Sequence, residues 1–197
     1  MKWKFKTPGI PDKFFIRGNV PMTKEEVRAV TLSKLRLRKD SIMVDVGAGT
    51  GSIAIEAAHV CTNGEVIAIE KNSEGIELIK QNSEKFGVYL KILHGNAAEC
   101  LKEINKFDRV IIGGSGGELE EIIKICYEKL TTEGICVINC ITIETLYESM
   151  KYLKEIGFSM IDVVSVNVSR GKLVGRYTLM EALNPIYIIS GIKTNLL

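Results

Sequence analysis

Val44-Asp45-Val46-Gly47-Ala48-Gly49-Thr50-Gly51 joins an apolar run to an amphipathic stretch, and this segment decides the fold. The residues that lead into it, Ile42–Val46, predict a buried strand, and those that follow, Ser52–Val60, predict a helix. Glycine lets the backbone turn tightly and lets a ligand approach closely, while the helix N-terminus offers unpaired amides. The segment therefore predicts a small-molecule site at the end of the first strand.

Strand-like runs alternate with helical stretches from residue 41 onward. The predicted strands are Ile42–Val46, Val66–Glu70, Leu90–His94, Arg109–Ile112 and Gly134–Ile141. The predicted helices are Ser52–Val60, Glu74–Phe86, Glu118–Leu130 and Glu144–Ile156, which Gly157 ends, with a short turn through Ala97–Ile104. This alternation predicts a parallel sheet with helices on both faces.

The alternation of strands and helices ends in the last third of the chain. Met160–Val168 and Pro185–Ile192 predict two further strands with no helix of ordinary length between them, so we expect this pair to be antiparallel. The sequence thus predicts an α/β fold with a seven-stranded, mostly parallel sheet that contains one antiparallel strand. We expect residues 1–197 to form one domain, because domains commonly span about 100–200 residues.

Residues 1–40 form a basic lead-in to this sheet. They hold eleven of the 26 Lys and Arg residues but four of the 24 Asp and Glu residues. Such a segment suits an anionic substrate or nucleic acid, and it is at least as often a solvated surface. Within it, Thr23 and Glu26 have the spacing of a helix capping box, which predicts that the Thr23 hydroxyl caps a helix.

Composition sets limits on the environment of the protein. The longest apolar runs are of strand length, whereas a membrane helix needs roughly 20 apolar residues. The basic N-terminus continues into proline and glycine rather than an apolar secretion signal, so we expect a cytoplasmic protein without a membrane span. No C-x-x-C pair is present, so zinc is not expected and free thiols are predicted for Cys61, Cys100, Cys126, Cys136 and Cys140.

The spacing of the glycines separates two classes of ligand. A dinucleotide dehydrogenase has G-x-G-x-x-G, but Ser52 stands where its third glycine belongs. The G-x-G-x-G variant, preceded by an acidic residue and followed by a strand that ends in Glu70, resembles the Rossmann-like class I methyltransferases, which bind S-adenosylmethionine. Glu70 is then expected to accept hydrogen bonds from both ribose hydroxyls. A tight turn without a ligand is the alternative.

Two further loops follow strands at the same edge of the predicted sheet. Asn96, after the third strand, stands where this class places a side chain against adenine, and it can equally be a turn residue. Gly113–Gly117, after the fourth strand, is expected to border the transferable methyl group, or else to be a flexible connection.

The sequence resembles one narrower family over nearly its whole length, the decarboxylating cobalt-precorrin-6B carbon-15 methyltransferases of cobalamin biosynthesis. Gly9–Phe14, Pro21–Arg28, Val44–Ala58 and Ile111–Gly117 carry the resemblance, and Pro21–Arg28 is the most specific of the four. The resemblance implies a homotetramer. The residues expected to contact S-adenosylmethionine are Thr23, Gly47, Ala48, Gly49, Thr50, Gly51, Glu70, Asn96, Ala97 and Ala98.

The substrate implied by this resemblance is an anionic tetrapyrrole, a cobalt-precorrin, with many acetate and propionate groups. Its site must offer cations, and the candidate carboxylate clamps are Arg17 in the lead-in and Arg170, Lys172 and Arg176 between the last two strands. Each can also be an ordinary surface charge. Gly114, Ser115 and Gly116 are expected to leave room for a broad planar ring. No catalytic acid or base is assigned, because in-line positioning of an activated methyl group can supply much of the acceleration.

Two alternatives stay open at this point. Related sheets methylate tRNA adenines, but an aromatic content of 7% and the lack of an arginine-rich stretch do not support a nucleic-acid partner. A catalytically silent scaffold would not need the intact glycine turn or Glu70.

Overall fold

The computed structural model describes residues 3–5 and 7–194, so Met1, Lys2 and Lys6 of the basic N-terminus lie outside the described residues. Its main sheet has seven strands, which are β1 (Ile42–Val46), β2 (Glu65–Glu70), β3 (Lys91–His94), β4 (Phe107–Ile112), β5 (Leu130–Cys140), β6 (Ser159–Val166) and β9 (Ile186–Ile192). Their order across the sheet is β3-β2-β1-β4-β5-β9-β6. β9 is antiparallel to β5 and β6, while β1 to β5 pair in parallel. The predicted α/β fold is confirmed.

Six helices cover the two faces of this sheet in the described part of the chain. They are α1 (Glu25–Leu35), α2 (Ser52–Val60), α3 (Ser73–Phe86), α4 (Ala97–Glu103), α5 (Leu119–Lys129) and α6 (Ile143–Ile156). Along β1, Met43 packs into the core with α1, α2 and α3, whereas Val44 and Val46 pack into the core with α4, α5 and α6. None of these helices is long and apolar enough to cross a membrane.

The connection between β6 and β9 contains a hairpin that the sequence did not predict. Its strands are β7 (Ser169–Val174) and β8 (Tyr177–Ala182), and they pair only with each other within the described residues. Every residue of both strands is exposed. Arg170 connects the hairpin to α1, because its guanidinium donates to both carboxylate oxygens of Glu26 at 2.7 and 2.8 Å.

Two local predictions need correction. Ala97–Glu103 forms a helix rather than a turn. The prediction that Thr23 caps α1 is wrong, because α1 begins at Glu25 with Lys24 as its N-cap and without a side-chain capping bond. The Arg28 amide donates to the Lys24 carbonyl, which makes Lys24 the N-cap. The buried guanidinium of Arg28, held by Glu56, donates to the Thr23 carbonyl.

Arg28 also fixes the lead-in to α2. Its side chain is fully buried and forms ion pairs with Glu56, at 2.5 Å, and with Asp12, at 3.2 Å. The carboxylate of Glu56 in turn accepts the amides of Gly9 at 2.7 Å and Ile10 at 3.0 Å. Because a buried charge is tolerated only when it is paired and hydrogen-bonded, this cluster holds the lead-in in one position across the sheet edge.

Candidate active site

The glycine turn after β1 is packed closely on two sides. The amides of Gly47 and Ala48 both donate to the carbonyl of Ile69 at the end of β2, at 2.9 and 3.0 Å. Gly47 and Gly49 have φ values of +74° and +56°, which favour glycine. A Cβ on Gly47 would lie 2.8 Å from the backbone of the loop after β4, and one on Gly49 would lie 2.6 Å from the carbonyl oxygen of Pro21.

Glu70 closes β2 directly beside this turn. One carboxylate oxygen accepts the amide of Gly49 at 2.8 Å, and the other accepts the amide of Asn72 at 2.8 Å. The residue is 9% exposed. Because a carboxylate offers about four lone-pair sites, each oxygen of Glu70 keeps capacity for a ligand hydroxyl.

A cavity of about 410 Å³, here the polar cavity, is lined by both the turn and Glu70. Among the residues that line it are Val20, Pro21, Gly47, Gly49, Glu70, Asn96, Ala97, Gly114, Ser115, Gly116 and Glu118. Asn96 caps α4, since its Oδ1 accepts the amides of Ala98 at 2.8 Å and Glu99 at 3.2 Å. The turn role of Asn96 is therefore observed, and the residue still lies on the cavity wall.

A second cavity of about 380 Å³, the apolar cavity, adjoins the first and shares Pro21, Gly47 and Gly113 with it. Its other wall residues include Met22, Thr23, Lys24, Val27, Asp45, Ala48, Asn139, Ile141, Val168, Leu183 and Ile186. The volumes fall within the range of small-molecule sites, about 300–1,000 Å³. A ligand that passes the glycine turn can therefore extend from the cavity that contains Glu70 into the cavity that Met22 and Val27 line.

Asp45 is the buried acid of the apolar cavity. Burial raises the pKa of its carboxyl group to about 7, and the nearby charge of Glu70 adds to this rise. The Ala54 amide, which donates to Asp45 at 3.1 Å, acts in the opposite direction. Asp45 is 1% exposed and also satisfies one amide in the first turn of α2.

Asn139 is a polar residue that sequence reasoning missed. It lies near the end of β5 on the wall of the apolar cavity, with Oδ1 3.1 Å from the hydroxyl of Thr31. Its Nδ2 is buried and has no hydrogen-bond partner among the described residues. A buried unsatisfied amide requires an explanation, and its position beside the cavity makes it available to a ligand. One polar residue in an otherwise apolar strand end was the only signal in the sequence.

A third cavity of about 440 Å³, the basic cleft, lies next to the apolar cavity and is lined by Asp12, Lys13, Phe15, Arg17, Lys24, Arg170 and Leu183. Two of the four predicted clamps, Arg17 and Arg170, are therefore brought together. The other two stay on the hairpin: Lys172 pairs with Glu181 at 2.9 Å, and Arg176 stacks over the ring of Tyr177. Neither lines any of the three cavities.

The remaining predicted site residues do not all lie where the sequence analysis placed them. Thr50, Gly51 and Ala98 are not among the residues that line the polar or apolar cavity. Gly114, Ser115 and Gly116, expected beside the substrate, line the polar cavity instead. This follows from the contact between Gly47 and Gly114, which folds the loop after β4 back onto the glycine turn.

None of the five cysteines lines the polar cavity, the apolar cavity or the basic cleft. All five cysteines are free and buried, which confirms the predicted free thiols. Burial raises the pKa of Cys61 to about 11 and that of Cys136 to about 12. A thiol with such a pKa is protonated at neutral pH and is therefore a poor nucleophile.

The strand order, the glycine turn after β1 and the acidic end of β2 define a class I methyltransferase fold. A family model described as a precorrin methyltransferase domain matches residues 13–193. The chain belongs to this precorrin methyltransferase family.

Individual relatives agree with the family. A protein of Pyrobaculum calidifontis, named a probable cobalt-precorrin-6B C(15)-methyltransferase (decarboxylating), is 47% identical over 96% of this chain and 98% of its own length. The crystal structure of precorrin-6y C5,15-methyltransferase from Geobacter metallireducens is 42% identical, with a TM-score of 0.90 over 94% of this chain and 98% of that one. The structure of precorrin 8W decarboxylase from Methanobacterium thermoautotrophicum is 35% identical, with a TM-score of 0.88 over 92% of this chain and 98% of that one.

Proposed function

We propose that the protein transfers a methyl group from S-adenosylmethionine to carbon 15 of cobalt-precorrin-6B and removes carbon dioxide from the acetate at carbon 12. This reaction belongs to the anaerobic type of cobalamin biosynthesis. The observation that carries the proposal is the pair of joined cavities at the glycine turn, with Glu70 in one and a largely apolar wall in the other, on a chain of the precorrin methyltransferase family.

The polar cavity suits S-adenosylmethionine. Glu70 retains acceptor sites for ribose hydroxyls, and the absence of side chains at Gly47 and Gly49 leaves the backbone open to close approach. Asn96 and Ala97 would bound the adenine, and Thr23 and Ala48 face the cavity on the other side of the turn. When bound, the donor supplies a methyl group that its positive sulfur has already activated.

The chain itself positions the acceptor and excludes water. Pro21, Gly47 and Gly113 border both cavities, so the methyl group has to pass between them to reach a ring in the apolar cavity. Holding the two reacting carbons in line supplies much of the acceleration without a dedicated base. An apolar wall also disfavours a carboxylate relative to neutral carbon dioxide, and the electron pair left by the departing group can enter the conjugated ring.

Cations at the mouth of the apolar cavity suit the carboxylates of a tetrapyrrole. Arg17 and Arg170 both line the basic cleft, and we propose that they bind acetate or propionate groups. Lys172 and Arg176 line none of the three cavities, so we expect them to contribute less.

Incubation of the purified protein with cobalt-precorrin-6B and methyl-labelled S-adenosylmethionine tests this function. The expected product has gained one labelled methyl group and lost one carbon dioxide, as measured by mass spectrometry. Glu70→Ala should lose the activity, whereas Glu84→Ala, on α3, is the matched control and should keep it. A wild-type protein that binds S-adenosylhomocysteine but leaves the mass of cobalt-precorrin-6B unchanged would refute the proposed substrate.

We further propose that the protein acts in the cytoplasm as a homotetramer, with the β7–β8 hairpin in a subunit contact. Leu173 and Met180 on the hairpin are 74% and 68% exposed. A two-stranded hairpin is marginally stable alone, and an exposed apolar patch commonly marks an interface. Light scattering should therefore give the mass of four chains, and Leu173→Glu combined with Met180→Glu should lower it. A wild-type protein that is monomeric at micromolar concentration would contradict the proposal.

A further inference from the structure

We infer that Lys24 binds a peripheral carboxylate of the tetrapyrrole at the boundary between the basic cleft and the apolar cavity, and so selects which edge of the ring enters. This inference rests on the proposed function. It assigns a substrate-binding and specificity-determining role to a residue that the sequence pattern did not single out.

The position of Lys24 is the first observation. Lys24 and Leu183 line both the apolar cavity and the basic cleft, so they mark the boundary between the two spaces. Lys24 is the N-cap of α1 and half-buried, which fixes its backbone next to the Thr23 segment that Arg28 holds. A substrate group that reaches from the cleft into the cavity must therefore pass Lys24.

The second observation is that the carboxylates near Lys24 are already occupied by other cations. Glu25 and Glu26 follow it in the chain, but both face Arg170, at 3.7 and 2.7 Å. Asp12, the acid of the basic cleft, pairs with Arg28 at 3.2 Å. Within the described residues, the Lys24 ammonium has no hydrogen-bond or ion-pair partner. It is therefore free to bind an anionic ligand.

The charge of the cleft decides the chemistry of that ligand. Lys13, Arg17, Lys24 and Arg170 line it together with one acid, Asp12. Because Arg170 pairs with Glu26 and Asp12 pairs with Arg28, three cations remain without an ion pair among the described residues. The carboxylates at the edge of a tetrapyrrole complement this surplus of positive charge, while its ring can pack against the wall of the apolar cavity. A carboxylate bound to Lys24 determines which edge of the ring faces the basic cleft. The other edge then faces the glycine turn, so Lys24 orients the carbon that receives the methyl group.

Binding of uroporphyrin, a tetrapyrrole with eight carboxylates, tests the inference directly by absorbance and fluorescence titration. Lys24→Met keeps the length of the side chain and removes its charge, so uroporphyrin affinity should fall roughly fivefold to tenfold, as for a partly exposed charge pair. The uroporphyrin affinity of Lys24→Met should also depend less on salt concentration than that of the wild type. Uroporphyrin octamethyl ester, measured in matched detergent, should bind wild type and variant equally. Lys34→Met, which removes a cation paired with Asp162 at 2.6 Å, is the matched control and should change neither affinity.

Two outcomes overturn the inference, and a third separates it from the proposed function. Equal uroporphyrin affinity in wild type and Lys24→Met overturns it, and so does a wild type that binds S-adenosylhomocysteine but not uroporphyrin. Lys24→Arg should restore most of the salt-dependent binding, and with cobalt-precorrin-6B the methionine variant should raise KM more than it lowers kcat. If Lys24 contributes to uroporphyrin binding but calorimetry detects no S-adenosylhomocysteine binding, the carboxylate site stands and the proposed function falls.

Discussion

Replacing Asp45 with asparagine should stabilise the ligand-free protein at neutral and higher pH. Asp45 is buried in the apolar cavity, and this burial raises the pKa of its carboxyl group from 3.8 to about 7. An ionised carboxylate is therefore costly in the folded state. Asparagine keeps an oxygen that can accept the Ala54 amide and removes the charge.

The size of the effect follows from the difference between the two pKa values. The folded state keeps the Asp45 proton up to about pH 7, whereas the unfolded chain releases it near pH 3.9. Between these limits the folded state binds more protons, so this carboxyl group lowers the free energy of unfolding as pH rises. At about 1.36 kcal/mol per pH unit, the loss reaches about 4 kcal/mol by pH 7 and then levels off.

Urea unfolding of wild type and Asp45→Asn, measured from about pH 4.5 to about pH 8, isolates this contribution because other titrating groups cancel in the difference. The advantage of the variant should grow steadily up to about pH 7. Asp40→Asn is the control: Arg38 holds the pKa of Asp40 below its usual value, so this change should not stabilise the protein as pH rises. A wild-type-to-Asp45→Asn difference that stays constant over the whole pH range would refute the buried, protonated state of Asp45.

Three further predictions concern the turn and the lead-in. Glu70→Gln should weaken S-adenosylhomocysteine binding measured by calorimetry roughly tenfold or more, because hydrogen bonds to a charged group contribute about 1.5–3 kcal/mol. Gly49→Ala should weaken the same binding more than Gly87→Ala, because both glycines have positive φ but only the Cβ at Gly49 meets backbone within 4 Å. Arg28→Met should lower the free energy of unfolding in urea by about 3–5 kcal/mol, because it leaves the buried Glu56 carboxylate without its charge partner; a loss below about 1 kcal/mol would contradict the buried cluster.

The parallel sheet could be predicted from sequence because its strands are short apolar runs between amphipathic helices, and this pattern is local. The β7–β8 hairpin could not. All of its residues are exposed, so it shows no alternation between core and solvent faces. The capping role of Thr23 was wrong for a related reason: the pattern around it is local, but the Arg28 side chain that holds its carbonyl is positioned by Glu56, 28 residues further along.

In the candidate site, too, some residues could be predicted from sequence and others could not. Gly49 and Glu70 could be placed together from sequence, because the ends of neighbouring parallel strands meet at one sheet edge. Lys24 and Leu183 could not, because they meet only after the lead-in and the segment that follows the hairpin have folded over the sheet. Asn139 lies at a predictable strand end, but the lack of a partner for its amide is visible only once the neighbouring helix α1 is in position.

The lead-in therefore has a role beyond covering the sheet. Val20 and Pro21 line the polar cavity, Pro21 to Lys24 line the apolar cavity, and Lys24 continues into the basic cleft. Five consecutive residues thus connect the proposed sites for the methyl donor, the ring and its carboxylates. In the proposed function the glycine turn and Glu70 bind the methyl donor, which class I methyltransferases share, so discrimination between acceptors has to come from other residues. This run, fixed by the Arg28 contact to the Thr23 carbonyl, lines all three cavities, so we expect it to contribute to recognition of the proposed tetrapyrrole substrate.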